Sequence, residues 1–127
     1  MTIIYLYVFL LGLVFGSFSN MLLFRLTRHE SIFGRSYCDV TKKQLTWKDL
    51  IPIVSYIYYK GRCRECGKKL PIKYPIIEFI NGLFFVAVCW ITITLFNQTR
   101  FPEVIWLAIF LLVMFQFAYI LILRLIE

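Results

Sequence analysis

Two long apolar runs with a basic segment between them decide what this chain can fold into. Residues 1–24 carry no charged side chain, and a helix of that length crosses about 30 Å of hydrocarbon. A second run, residues 75–96, contains Glu78 as its single charge, and a third, residues 103–124, is charged only at Glu103 and Arg124. The chain is therefore read as an all-α membrane protein with three transmembrane helices and a polar loop, residues 25–74, between the first two. Sixty-one per cent hydrophobic residues in 127 is too apolar for a soluble domain of this size.

Charge sets the orientation. Twelve of the fourteen Lys and Arg fall in residues 25–74 against four acids, Glu30, Asp39, Asp49 and Glu65, so that segment carries about +8 while the rest is nearly neutral. Confined beside membrane spans, this charge is the positive-inside signal, with anionic headgroups as its partners, and nucleic acid is excluded as a target. The loop and the C-terminus are placed in the cytosol and the N-terminus outside. No basic residue precedes the first run and no small-x-small site follows it, so it is read as a retained anchor rather than a signal peptide.

Within the loop, Asp49 is expected to cap a short helix with Pro52 in its first turn. Ile53, Tyr56, Ile57 and Lys60 would share one face lying along the membrane surface. No internal repeat is evident.

Cys38 and the Cys63-Arg64-Glu65-Cys66-Gly67 knuckle bring three thiols into this segment. Thiols in a reducing compartment are metal ligands before they are disulfides. A thiolate pair two residues apart grips one tetrahedral ion, zinc by choice of ligand, with Cys38 as third ligand and His29, Asp39 or water as fourth. The other reading is three ordinary reduced cysteines. A unit of about fifty residues seldom holds together by apolar burial alone, which favours the staple. Cys89, inside the second run, reads as a packing residue.

Three positions in the apolar runs stand out. Gly16, four residues after Gly12 and next to Ser17, suits close helix packing in lipid. Asn20 must find a partner at its depth. Glu78, one turn into a span, is a functional candidate or the partner of Arg25, Arg28 or Lys73.

Gly16-Ser17-Phe18-x-Asn20 with Arg25-Leu26 resembles the first-span signature of bacterial type IV prepilin leader peptidases/N-methyltransferases, the A24 aspartic peptidase family. So do Ser36-x-Cys38, Leu45-x-Trp47-x-Asp49-x-Ile51-Pro52, Gly61-Arg62-Cys63-Arg64-x-Cys66-Gly67 and Tyr74-Pro75-x-x-Glu78. The likeness covers residues 10–88 and is to the N-terminal domain of these inner-membrane enzymes. They cleave the leader of pilin-like precursors, and many then methylate the new N-terminus with S-adenosylmethionine.

Two departures qualify what the resemblance implies. The family's first Cys pair is here Cys38-Asp39-Val40-Thr41-Lys42, so a fourth thiolate is missing. The family's two catalytic aspartates lie in a C-terminal membrane domain, whereas Asp39 and Asp49 are the only aspartates here and both sit in the loop. No catalytic residue is assigned. The expectation is a module that supports processing or methylation of pilin-like precursors with a C-terminal peptidase half on another chain. S-adenosylmethionine enters only if methylation is retained, since no glycine-rich nucleotide turn is present. The alternative is a non-enzymatic membrane adaptor or a decayed remnant.

Overall fold

The computed structural model describes residues 2–99, 108–109, 111–116, 118–119 and 121. Helix α1 covers Thr2–Thr27, a short helix α2 covers Val54–Tyr58, and α3 covers Lys73–Thr99. A single 3-10 turn, Trp47–Leu50, precedes α2. Both long helices are long and apolar enough to cross a membrane. Each extends a few residues past the expected limits, because the charged Arg25 and Lys73 lie in helical turns that the apolar count leaves out. The third span expected over residues 103–124 lies largely outside the described residues; those described within it, 111–116 among them, are helical.

Helices α1 and α3 run antiparallel and touch along their length through small residues. A Cβ on Gly12 would come within 2.7 Å of Gly82 Cα, and one on Gly16 within 2.8 Å of Glu78 Cα. In lipid, where apolar burial drives little, such backbone approach supplies the dispersion contact that joins helices. Phe15 stacks on Phe85 at 5.4 Å beside this seam. A buried polar chain adds to it. The Ser19 hydroxyl donates to Gln116 Oε1 at 2.7 Å, and Gln116 Nε2 donates to Asn81 Oδ1 at 2.6 Å. Asn81 is fully buried.

The polar segment contains two copies of one hairpin, 25 residues apart, which corrects the reading of no internal repeat. Cys38 N–H donates to Lys43 O and Lys42 N–H to Cys38 O; Cys63 N–H donates to Lys68 O and Gly67 N–H to Cys63 O. Leu45 N–H donates to Ser36 O just as Leu70 N–H does to Gly61 O. Isolated bridges pair Tyr37 with Gln44 and Arg62 with Lys69. Both copies need a left-handed residue at the same place, filled by Gly67 at φ 68° and by Lys42 at φ 55°. Glycine takes that conformation freely and lysine does not.

Asp49 does not cap α2. Its Oδ2 accepts from the Thr46 N–H at 2.8 Å and the Thr46 hydroxyl at 2.7 Å, closing the 3-10 turn instead. Pro52 precedes α2, whose N-cap is Ile53. The expected face is also rotated. Val54, Ile57 and Tyr58 are exposed, while the Tyr56 ring lies against Gly61 and its hydroxyl reaches Leu70 O at 3.4 Å.

Candidate functional site

The two hairpins bring their cysteines together. Cys38, Cys63 and Cys66 place their sulfurs within 4.8 Å of one another, and Cys38 and Cys63 Sγ are 3.7 Å apart. A tetrahedral ion with metal–sulfur bonds of about 2.3 Å has ligand separations of about 3.8 Å, so the three thiols fit one zinc. The fourth vertex of the duplicated hairpins belongs to Thr41, the counterpart of Cys66. Its hydroxyl bonds to Cys38 and, with its own N–H, holds that thiol down at about 6 against burial. Cys66 moves the other way. The Lys68 N–H favours its thiolate, but the bond to Cys38, burial and Cys63 outweigh it and raise the group. Neither His29 nor Asp39 joins the cluster.

Asp39 is engaged elsewhere. The Arg28 guanidinium grips both its carboxylate oxygens, Nη2 to Oδ2 at 3.0 Å, and Lys42 and Lys68 stand 3.7 Å away. Arg28 above all holds the Asp39 carboxyl below the usual range. Arg64 likewise meets Glu65 at 3.0 Å and Asp49 at 3.4 Å.

Arg25 is 4% exposed, and its guanidinium donates to four carbonyls: Ser31 at 2.9 Å, Ile32 at 3.1 Å, Gly34 at 3.0 Å and Arg35 at 2.9 Å. A planar fork of five donors can do this where an ammonium cannot. The chain leaving α1 is thereby wrapped around the guanidinium, which hands the first hairpin to its place beside the second.

Glu78 is 8% exposed. Its carboxylate accepts from Ile53 N–H at 2.7 Å and from the Ser17 hydroxyl, so it ties α1, α3 and the loop together. Arg25 and Arg28, two of the partners considered for it, spend their charge elsewhere. Asn20 Nδ2 donates to Tyr74 O at 3.2 Å, while its buried Oδ1 has no partner.

These groups surround a cavity of about 410 Å³ between the hairpins and the adjoining ends of α1 and α3, with Ser17, Asn20, Arg25, Cys38, Cys63 and Glu78 in its wall. Of the expected positions, Gly16 packs behind it and Pro52 leads into Ile53. Sequence reasoning missed Gln116, an amide at membrane depth, and it set Ile53 on a helical face without the bond that its N–H makes to Glu78.

A family described as the bacterial peptidase A24 N-terminal domain matches residues 10–92. The prepilin leader peptidase/N-methyltransferase of Myxococcus xanthus is 38% identical over 82 residues, 64% of this chain and 24% of that protein. The protein of the same name from Klebsiella pneumoniae is 37% identical over 87 residues, 63% and 38% of the two chains. That from Bacillus subtilis is 38% identical over 80 residues, 62% and 32%. The chain thus spans about a quarter to two fifths of the length of these curated relatives. No solved structure matches it.

Proposed function

The chain belongs to the bacterial peptidase A24 N-terminal domain family, and from that premise we propose that it is the N-terminal module of a prepilin-processing system in the bacterial inner membrane. It holds pilin-like precursors for leader cleavage and N-methylation and works with a C-terminal peptidase half. The observation that carries this reading is the cysteine hairpin pair seated over the Glu78 cavity, inside the stretch shared with the processing enzymes.

Peptide hydrolysis by a carboxylate pair needs two acids close enough for one to stay protonated while the other activates water. Asp39 and Asp49, the only aspartates, are each bound to arginine. The cutting carboxylates are therefore not assigned to Asp39 or Asp49 but to the C-terminal peptidase half. Cys38, Cys63 and Cys66 would hold a zinc ion, which supplies a structural staple rather than a reaction step. S-adenosylmethionine is the methyl donor if the module retains that second activity.

The loop, at about +8, faces the cytosol, with the N-terminus outside and the C-terminus inside. Val54, Ile57 and Tyr58, the exposed face of α2, lie toward the lipid surface. The test is reconstitution of the purified chain in lipid with a prepilin, alone and with a separately expressed peptidase half. Cleavage is expected only with both. Cleavage by this chain alone, abolished by Asp39→Asn or Asp49→Asn, would overturn the assignment.

A further inference from the structure

We propose that the metal site between the two hairpins keeps one vertex, on the side of Thr41, for a ligand from outside the chain, and that this ligand is the thiolate of a small thiol. The ligand presupposes the three-cysteine zinc site proposed above.

The chain brings no fourth ligand of its own to the cluster. It has four cysteines and one histidine. Three of the cysteines form the group, and among the described residues no other cysteine, histidine or acid joins them. Cys89 lies in α3, within the membrane-length stretch Lys73–Leu95. The acids closest in sequence have other partners. Asp39, next to Cys38, is held by Arg28, Lys42 and Lys68. Glu65, between Cys63 and Cys66, is held by Arg64 and Lys43.

The hairpin repeat shows where the missing ligand belongs. Its hydrogen bonds set Cys38 in register with Cys63 and Lys42 with Gly67, so Thr41 stands where the second copy has Cys66. The Thr41 hydroxyl reaches the cluster, since it bonds to Cys38. Zinc takes thiolate, imidazole and carboxylate from proteins, and a neutral hydroxyl is not in that set. Structural zinc sites are closed by four protein ligands, whereas three leave a position open. Thr41 is exposed, so a ligand can approach from its side.

Softness and charge select the ligand. Three thiolates make a soft site, and sulfur matches it better than oxygen does. A fourth thiolate adds negative charge, which the surroundings can offset. Arg62 and Lys69 face each other across the second hairpin and line the same cavity as the three cysteines. Both are exposed, and neither is in an ion pair among the described residues. Lysine and arginine near a sulfur favour its thiolate form. The cytosol, where the loop is placed, keeps thiols reduced.

The full chain, purified in detergent under a sulfur-free phosphine reductant, is loaded with cobalt(II), whose absorption bands report how many sulfurs surround it. N-acetylcysteine is titrated in, with N-acetylserine, its hydroxyl analogue, as control. In the wild type N-acetylcysteine is expected to add one sulfur per cobalt, with the metal retained by the protein, and to bind at least tenfold tighter than N-acetylserine. Thr41→Cys is expected to show the four-sulfur spectrum from the start and to ignore the thiol. Thr41→Val keeps the vertex open and is expected to respond as the wild type does, which decides the matter should Thr41→Cys not fold. An unchanged wild-type spectrum, equal affinity for the two compounds, a response that persists in Thr41→Cys, or cobalt drawn off the protein by the thiol overturns the proposal. A Thr41→Val spectrum that differs from a wild type blind to the thiol assigns the vertex to Thr41 itself and overturns it too. A chain that takes up no cobalt loses the metal site and the ligand together, whereas uptake without a response to the thiol keeps the site and loses the ligand alone.

Discussion

Thr41 and Lys42 occupy the positions at which the second hairpin has Cys66 and Gly67, and both substitutions weaken the first hairpin in separate ways. Thr41 offers a hydroxyl where the second hairpin has a thiol, so a zinc held by the proposed staple would have three sulfur ligands. Lys42 places a side chain in the left-handed region at a cost of roughly 1–2 kcal/mol. Thr41→Cys is expected to tighten zinc binding at least tenfold, measured by competition with a chromogenic chelator, with one zinc per chain before and after. Lys42→Gly is expected to raise thermal stability by about 1 kcal/mol. No metal in either the wild-type or the Thr41→Cys protein would refute the staple.

Asp49, together with Asp39, gives this layer a pH dependence. Burial pushes its carboxyl up, but the Thr46 hydroxyl and N–H and the Arg64 charge outweigh burial and hold it below the ordinary value. A depressed folded-state pKa contributes stability that is complete above the unfolded value of about 3.9 and is lost as pH falls below it. The hairpin layer is therefore expected to loosen on acidification below about pH 4, read from the fluorescence of the neighbouring Trp47. Asp49→Asn is expected to show the loosened signal already at neutral pH; a wild-type profile in that variant would show that the turn does not depend on the charge.

At the scale of elements, the seam of α1 and α3 depends on glycine. A Cβ on Gly12 or Gly16 would sit 2.7–2.8 Å from backbone atoms of α3, and backbone cannot move aside as the end of a side chain can. Gly12→Ala and Gly16→Ala are each expected to cost about 1–3 kcal/mol in detergent unfolding, with the losses less than additive because one separation of the helices relieves both. A Gly16→Ala protein as stable as the parent would mean that the seam is looser than described. Gln116 bonds to both Ser19 and Asn81, so it links a third helical stretch to this pair. The hydroxyl at 19 and the amide at 81 were each visible in the sequence, but nothing local shows that one glutamine joins them.

For the whole molecule, orientation is the consequence that can be measured without a substrate. The polar segment carries twelve basic and four acidic residues, and export of that charge opposes the positive-inside bias. Cys38, Cys63 and Cys66 should resist a membrane-impermeant thiol reagent in intact spheroplasts and react after the membrane is opened in the presence of a chelator. Cys38, 3% exposed, should react last. Labelling before permeabilisation would reverse the topology.

Hydropathy is a sum over neighbours in the chain, and this is why the sequence by itself determined the two membrane-length helices, the polar segment between them and the glycine spacing of their contact. The Cys63–Cys66 knuckle was legible for the same reason, being built from near neighbours in the chain, whereas Cys38, 25 positions away, joins it through the fold. The hairpin repeat was not, because its ten aligned positions, 36–45 and 61–70, share only one cysteine, one lysine and one leucine. Their likeness resides in backbone hydrogen bonds rather than in side chains. Tertiary structure alone decided where the buried charges went. Arg25 turned from an expected carboxylate to four carbonyls, and Glu78 turned to the N–H of a residue 25 positions away. A charge removed from water takes whichever partner the packed chain brings within reach, and that partner is set by how the helices and hairpins close on one another.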